Sequence, residues 1–159
     1  MSTVAGFTIR KMRVADLASV MEIELATFTM PWSESTFRGL LRRTDSDLFI
    51  AEKNDRVIGY AVFWSVIDQG ELGNVAVSPL DRGKGIGTRL VEAVLVRALE
   101  KGVREVFLEV RKSNFGAQRL YNEFGFIEVA KRRNYYLEPL EDAIVMKRVL
   151  DDELDNMGN

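Results

Sequence analysis

A strand that runs into a glycine-rich turn and then into a helix aims several backbone N–H groups and the positive end of a helix dipole at one point. Such a point suits an anion, above all a phosphate. The segment Asn74-Val75-Ala76-Val77-Ser78-Pro79-Leu80-Asp81-Arg82-Gly83-Lys84-Gly85-Ile86-Gly87-Thr88 has that form. Its glycines let the backbone approach a ligand closely, and Arg82 and Lys84 add positive charge. The same residues also fit a plain tight connection between strand and helix. Two further candidates stand downstream: Glu109, at the end of the β-rich run Val103 to Val110, and Tyr121, on the apolar side of a helical stretch after Asn114. A carboxylate can accept a proton, and a phenol with an ordinary pKa near ~10 stays protonated at neutral pH and can donate one. Each has a structural reading too. Glu109 suits a strand-end ion pair with Arg111 or Arg104, Tyr121 a core aromatic, and Asn114 a helix cap.

The 159 residues include no histidine and no cysteine. That removes Ser-His-Asp and Cys-His nucleophile pairs, thiol acyl-enzymes, disulfides and nearly every zinc site. Among phosphate-binding patterns, the Walker motif fails because Lys84 is followed by Gly85. Asp81-x-Gly83-x-Gly85-x-Gly87, with Glu109 at the distance of a ribose-binding acid, resembles the first motif of S-adenosylmethionine-dependent methyltransferases. Those glycines should directly follow a first strand, whereas here Ser78-Pro79-Leu80 intervenes and most of a meander comes earlier; a Rossmann fold fails for the same reason.

The elements that must position these groups follow from periodicity. Phe7 to Arg13 alternates as a strand, and Asp16 stands as an N-cap candidate before Leu17, Val20, Met21, Leu25 and Phe28 at helical spacing. Met30-Pro31-Trp32 breaks that helix as an exposed-looking loop, and Ser33 caps a short one through Phe37, Leu40 and Leu41. Leu48 to Glu52 and Val57 to Ile67 form a hairpin about Asn54-Asp55, with Leu72 to Val77 as the next strand. Leu90 to Leu99 is a helix ended by Gly102, Val103 to Val110 a strand, and the helix after Asn114 ends at Gly125. Two last strands span about Phe126 to Tyr136 and Ala143 to Val149. The expected order is β-α-α-β-β-β-α-β-α-β-β, a mixed α/β fold around one sheet in a single domain over residues 1–150. The acidic, unpatterned stretch 151–159 is expected to be disordered.

Arg82-x-x-Gly85-x-Gly87 also resembles the R/Q-x-x-G-x-G/A signature that cradles the coenzyme A pyrophosphate in the GNAT superfamily of N-acetyltransferases. Leu108-Glu109-Val110-Arg111-Lys112-Ser113-Asn114, Ala117-Gln118-Arg119-Leu120-Tyr121 and Gly125-Phe126 follow at that family's order and spacing, so the resemblance covers about residues 7 to 150. Pro31-Trp32-Ser33, Asn74-Val75-Ala76-Val77, Arg132-Arg133-Asn134-Tyr135-Tyr136 and Glu141-Asp142-Ala143-Ile144-Val145-Met146 narrow it to the RimI type, the ribosomal-protein-alanine N-acetyltransferases. Gly73 departs from the pattern, because a bulkier strand residue is expected ahead of Asn74. Glycine there permits a bulge or a wider acceptor site.

The resemblance implies the acyl-CoA N-acyltransferase fold, acetyl-CoA as cosubstrate and no metal. It implies that Glu109 accepts the amine proton and that Tyr121 protonates the departing thiolate. Backbone N–H groups at Val75, Ala76 and Val77 polarise the thioester carbonyl and pair with the pantetheine amides. Arg82, Gly83, Lys84, Gly85, Ile86, Gly87 and Thr88 hold the pyrophosphate, and Asn114 bonds the cofactor near the thioester. Trp32, Asn74, Tyr135 and Tyr136 are candidates to wall an acceptor-peptide groove, with plain packing as the competing role. Lys131-Arg132-Arg133 reads as a solvated strand edge and is too short to indicate RNA binding.

Acidic and basic side chains nearly balance, 24 against 22, but residues 82–133 carry 12 basic and 6 acidic ones while the flanks are acidic. The basic middle coincides with the proposed anion site, and the acidic flanks suit a basic peptide. The implied activity is direct acetyl transfer to the N-terminal alanine of a small-subunit ribosomal protein or to another peptide N-terminus. The expected setting is the cytoplasm, as a monomer or weak oligomer with no direct nucleic-acid or membrane partner. A small-molecule amine acetyltransferase on the same fold and a non-catalytic coenzyme A-binding module are the alternatives.

Overall fold

The structure is a computed structural model that describes residues 2–4 and 6–150, with side chains from residue 6 onward. The expected disordered stretch, 151–159, lies outside the described residues. From Phe7 on, the elements follow the expected order: β2 (Phe7–Lys11), α1 (Leu17–Thr27), α2 (Glu34–Arg42), β3 (Ser46–Lys53), β4 (Arg56–Val66), β5 (Gln69–Val77), α3 (Ile86–Glu100), β6 (Glu105–Arg111), α4 (Phe115–Glu123), β7 (Ile127–Leu137) and β8 (Leu140–Val149). An unexpected strand, β1 (Ser2–Val4), precedes them and pairs antiparallel with β2. The result is a mixed α/β fold. Its contacts divide into two compact units, neither a contiguous stretch: one holds the chain up to Trp64 together with Gly73–Arg97, the other Ser65–Leu72 together with the chain from Ala98.

In the first unit the strand order is β1-β2-β3-β4-β5. The β3–β4 hairpin turns at Asn54 and Asp55, whose φ values of +51° and +62° are those that a two-residue hairpin turn matching strand twist demands. Leu17, Val20 and Ile23 of α1 and Phe37 and Leu40 of α2 share a core with Leu48, Ile50, Tyr60, Val62 and Ala76 of the strands. Ser33 caps α2 as expected, its Oγ accepting from Thr36 N–H at 3.1 Å. Two expectations about α1 fail. Leu25 is 61% exposed and Glu24 is fully buried, because a stripe drawn from Leu17 at 3.6 residues per turn passes through 20, 21, 24 and 28. Asp16 does not cap the helix; its carboxylate accepts from Arg10 at 2.8 and 2.9 Å and from Arg13 N–H at 2.7 Å. Helix α3 sits close to β4 because Gly59 lacks a side chain: a Cβ there would lie 3.2 Å from both Ile86 and Leu90.

In the second unit the order is β5-β6-β8-β7, with Gln69–Glu71 parallel to Glu105–Phe107 and the other pairs antiparallel. Strand β6 alternates cleanly, burying Val106, Leu108 and Val110 and turning Phe107, Glu109 and Arg111 to a half-buried face. Helix α4 begins on the Asn114 cap and is followed by Gly125 at φ +83°, the left-handed position that a helix end of this kind requires. Strand β7 is an almost wholly exposed edge carrying Lys131, Arg132 and Arg133, a composition that discourages edge-to-edge pairing.

Candidate active site

The glycine loop belongs to the first unit. Strand β5 ends at Val77, a single turn over Pro79–Asp81 follows, and α3 starts at Ile86. Asp81 is buried and pairs with Arg56 at 3.3 Å and Lys84 at 3.8 Å, so a carboxylate inside the turn anchors the loop from below. Gly83 and Gly85 have φ of +76° and +82°, a conformation that needs glycine, and a Cβ built on either meets nothing within 4 Å. The loop therefore presents open, exposed backbone ahead of a four-turn helix. Arg82 folds back, donating to Val77 O at 3.1 Å and Thr27 Oγ1 at 3.3 Å. Ile86 puts its side chain into the core; Gly87 is half-buried and Thr88 exposed.

Upstream on β5, Val75 and Val77 are half-buried and Ala76 buried. Asn74 does not face an open groove. Its Nδ2 donates to both Glu24 oxygens at 3.0 Å, and the same carboxylate accepts from the Tyr60 hydroxyl and, at 2.8 Å, from Trp32 N–H. Trp32 is consequently not the exposed loop residue its neighbours suggest: its ring packs 5.5 Å from Phe37 and 6.3 Å from Trp64. Burial, then the Glu24 charge and hydrogen bond, push the Tyr60 phenol far above its ordinary value, so it remains a donor. Gly73 and Asn74, adjacent in sequence, both face the α1 side, which is the signature of a bulge. The widened space that Gly73 alone would suggest does not arise, because two indoles fill it.

The second unit holds the proton-transfer candidates. Glu109 lies two residues past the last β5–β6 pair; its carboxylate is 3.1 Å from Arg132 Nε and accepts from the Tyr135 hydroxyl. Its cation is Arg132, neither Arg111 nor Arg104 as the sequence suggests. Arg111 instead pairs with Glu141 at 3.3 Å and stacks 4.3 Å over the Tyr136 ring. Tyr135 and Tyr136 meet edge to face at 5.2 Å, the former exposed and the latter half-buried. Tyr136 is pushed up to about 12 by burial and then by the Glu109 charge. Tyr121 is buried on α4 against Phe126 at 5.8 Å, and burial, followed by Tyr136, raises its phenol above the ordinary range.

A carboxylate and a protonated phenol in one neighbourhood, on a strand end and a helix of an α/β fold with a glycine loop, suit amine acylation. The sequence profile described as Acetyltransferase (GNAT) family matches residues 17–126. The chain belongs to that family. It is 37% identical over 141 residues to a Salmonella typhimurium (strain LT2) relative named [Ribosomal protein bS18]-alanine N-acetyltransferase, covering 87% of this chain and 95% of the relative. The crystal structure of the ribosomal-protein-S18-alanine N-acetyltransferase from Escherichia coli superposes with a TM-score of 0.83 at 34% identity, covering 90% of this chain and 93% of that one. The NatC complex bound to Gag peptide and CoA gives a TM-score of 0.82 at 26% identity over 91% of this chain and 98% of that chain. The protein is an N-acetyltransferase of the GNAT family.

Against that family's pattern, the structure gathers Glu109, Tyr121, Tyr135 and Tyr136 in one unit and Trp32, Asn74, Val75, Ala76, Val77 and the loop from Arg82 to Thr88 in the other. Asn114 uses its Oδ1 to cap α4, accepting from Ala117 N–H at 3.1 Å. Sequence reasoning missed Glu24, and it missed what Glu141 and Asp142 do. Glu141 accepts from Ser113 N–H at 2.6 Å, and Asp142 accepts from Asn134 N–H at 2.8 Å where β7 slips register at φ +51°. That slip sets the orientation of Tyr135 and Tyr136. The Arg-Asn-Tyr-Tyr and Glu-Asp-Ala runs are therefore one device, a bulge and the carboxylate that holds it.

Proposed function

We propose that this chain transfers an acetyl group from acetyl-CoA directly to the α-amine of a protein N-terminus. We propose further that its acceptor is the N-terminal alanine of a small-subunit ribosomal protein, the acceptor class named for its relatives. The observation that carries the reading is the Glu109–Tyr135–Tyr136–Tyr121 neighbourhood, which supplies an acceptor and a donor of protons without histidine or cysteine. The loop fits the cosubstrate: open backbone at Gly83 and Gly85, a helix start, and Lys84 exposed beside it suit a pyrophosphate.

When bound, acetyl-CoA supplies a thioester, an acyl group already activated toward amines. The loop from Arg82 to Thr88 holds its phosphates, Asn114 offers Nδ2, and backbone N–H groups of Val75 to Val77 stabilise the developing oxyanion. An α-ammonium, with an ordinary pKa near ~8, must lose a proton before it attacks. Glu109 takes that proton, with Arg132 and Tyr135 fixing its carboxylate in place. Tyr121, held neutral by burial, gives its Oη proton to the departing sulfur. Residues 1–150 act as one catalytic domain in this reading.

Incubation with acetyl-CoA and peptides that differ in their first residue, read by mass spectrometry, tests it. The expected product is α-acetylated alanine-first peptide. Acetylation confined to lysine side chains or to small amines overturns the assignment.

A further inference from the structure

Gly73 and the two tryptophans form a feature that the chemistry above does not use. A Cβ on residue 73 would lie 2.7 Å from Trp64 Cζ3 and 2.9 Å from Trp32 Cη2, so both ring ends rest directly on the bare backbone. Both indoles are half-buried against the α1–α2 core, and Trp32 is anchored there by its N–H bond to Glu24. Bulk expected from the side chain of residue 73 is supplied here by Trp64, on the neighbouring strand β4, with Trp32 behind it.

We infer that Trp64, seated on Gly73 and backed by Trp32, is the wall that limits the size of the acceptor's first side chain. This rests on the N-terminal acetyltransferase reading. In that reading Val75 to Val77 hold the carbonyl under attack, and an attacking amine must come within about 3–3.5 Å of the carbonyl carbon. The N–Cα and Cα–Cβ bonds of the acceptor add to that attack distance, so its first side chain begins roughly 6 Å from the carbonyl carbon, about two strand residues along β5 at a rise of about 3.3 Å each. Gly73 stands two residues before Val75, at that reach. Rigid indole edges there leave room for a methyl group and collide with a larger side chain. A wall of two interlocked rings has no soft rotamer by which to yield, which makes it selective by size.

The test measures kcat/KM with acetyl-CoA for peptides identical except for alanine, valine or leucine at the first position. Trp64→Ala raises the leucine-to-alanine and valine-to-alanine ratios by about tenfold or more, the range that one or two methylenes command in an apolar pocket. Trp64→Leu, a milder truncation, shifts them in the same direction and decides the matter if Trp64→Ala does not fold by circular dichroism. Ratios unchanged in a folded Trp64 variant overturn the inference while leaving the N-terminal acetyltransferase reading intact. A wild-type protein that acetylates no peptide N-terminus overturns that reading first, and this one with it.

Discussion

Removing the Glu24 carboxylate is the sharpest perturbation the fold offers. Three groups converge on it inside the first unit: Trp32 N–H at 2.8 Å, Asn74 Nδ2 at 3.0 Å to both oxygens, and the Tyr60 hydroxyl. The carboxylate is fully buried, so water does not compete for these donors. Glu24→Ala strands the buried Tyr60 hydroxyl, at about 1–3 kcal/mol when unpaired, together with two half-buried donors at the lower end of that range, and leaves a cavity. Relief of the buried charge offsets part of that, since desolvating a carboxylate is itself unfavourable. The net expectation is a loss of about 3–5 kcal/mol, or roughly 10 °C in Tm for a domain of this size at about 2–4 °C per kcal/mol. Glu24→Gln keeps the shape and one acceptor oxygen but turns an NH2 toward a donor, and should lose about 1–2 kcal/mol. Urea unfolding of both variants and of Tyr60→Phe, combined as a double-mutant cycle, isolates the Glu24–Tyr60 coupling, expected at about 1 kcal/mol or more. A Glu24→Ala protein within about 0.5 kcal/mol of wild type would refute the claim that this carboxylate organises the loop between α1 and α2.

Four further outcomes follow from the charges and phenols. Tyr121→Phe should lower kcat about 100-fold with little change in acetyl-CoA affinity, and unchanged kcat removes Tyr121 from the mechanism. Because burial and Tyr136 lift the Tyr121 phenol, the donor stays protonated past its ordinary value; the wild-type kcat should show no alkaline decline below pH ~10, and a limb centred near ~9 contradicts this. Glu109→Gln should lose activity at neutral pH by a factor that shrinks as pH rises through the amine's pKa near ~8, whereas a pH-independent loss assigns Glu109 to binding or structure. Burial works against ionisation of Asp16, but hydrogen bonds from Arg10 and Arg13 hold its carboxyl below its ordinary value. A lowered carboxyl pKa stabilises the fold above the unfolded value and ceases to do so as pH falls through the folded one. Asp16→Asn should therefore destabilise at pH 7 by about 3 kcal/mol, and chemical denaturation should find the difference fading below pH ~4.

Much of the fold is legible because its signals are local. Asn54-Asp55, the Asn114 cap and Gly125 each fix a backbone conformation through their own side chain or lack of one, and all stand where the spacing puts them. The glycine loop is legible for the same reason. What escaped is held by partners distant in sequence. Glu24 bonds to residues 36 and 50 positions away, and a glutamate on an apolar stripe does not announce such donors. The ion pair of Glu109 is set by the β7 register slip at Asn134, which depends on Asp142. Gly73 shows in the sequence as an anomaly, but the residue that fills its space sits on the adjoining strand, and strand pairing is not written in composition.

The chain contains two tryptophans, and both rings rest on Gly73. Every indole photon that the protein emits thus originates at one place, beside the bulge of β5. Selective indole excitation would give a single-site optical signal without any label, free of background from the rest of the molecule. At a centroid separation of 6.3 Å the two chromophores are also close enough to couple in the near-ultraviolet. The spectrum of the unmodified protein is, in effect, a gauge of how the loop between α1 and α2 lies on the strand below it.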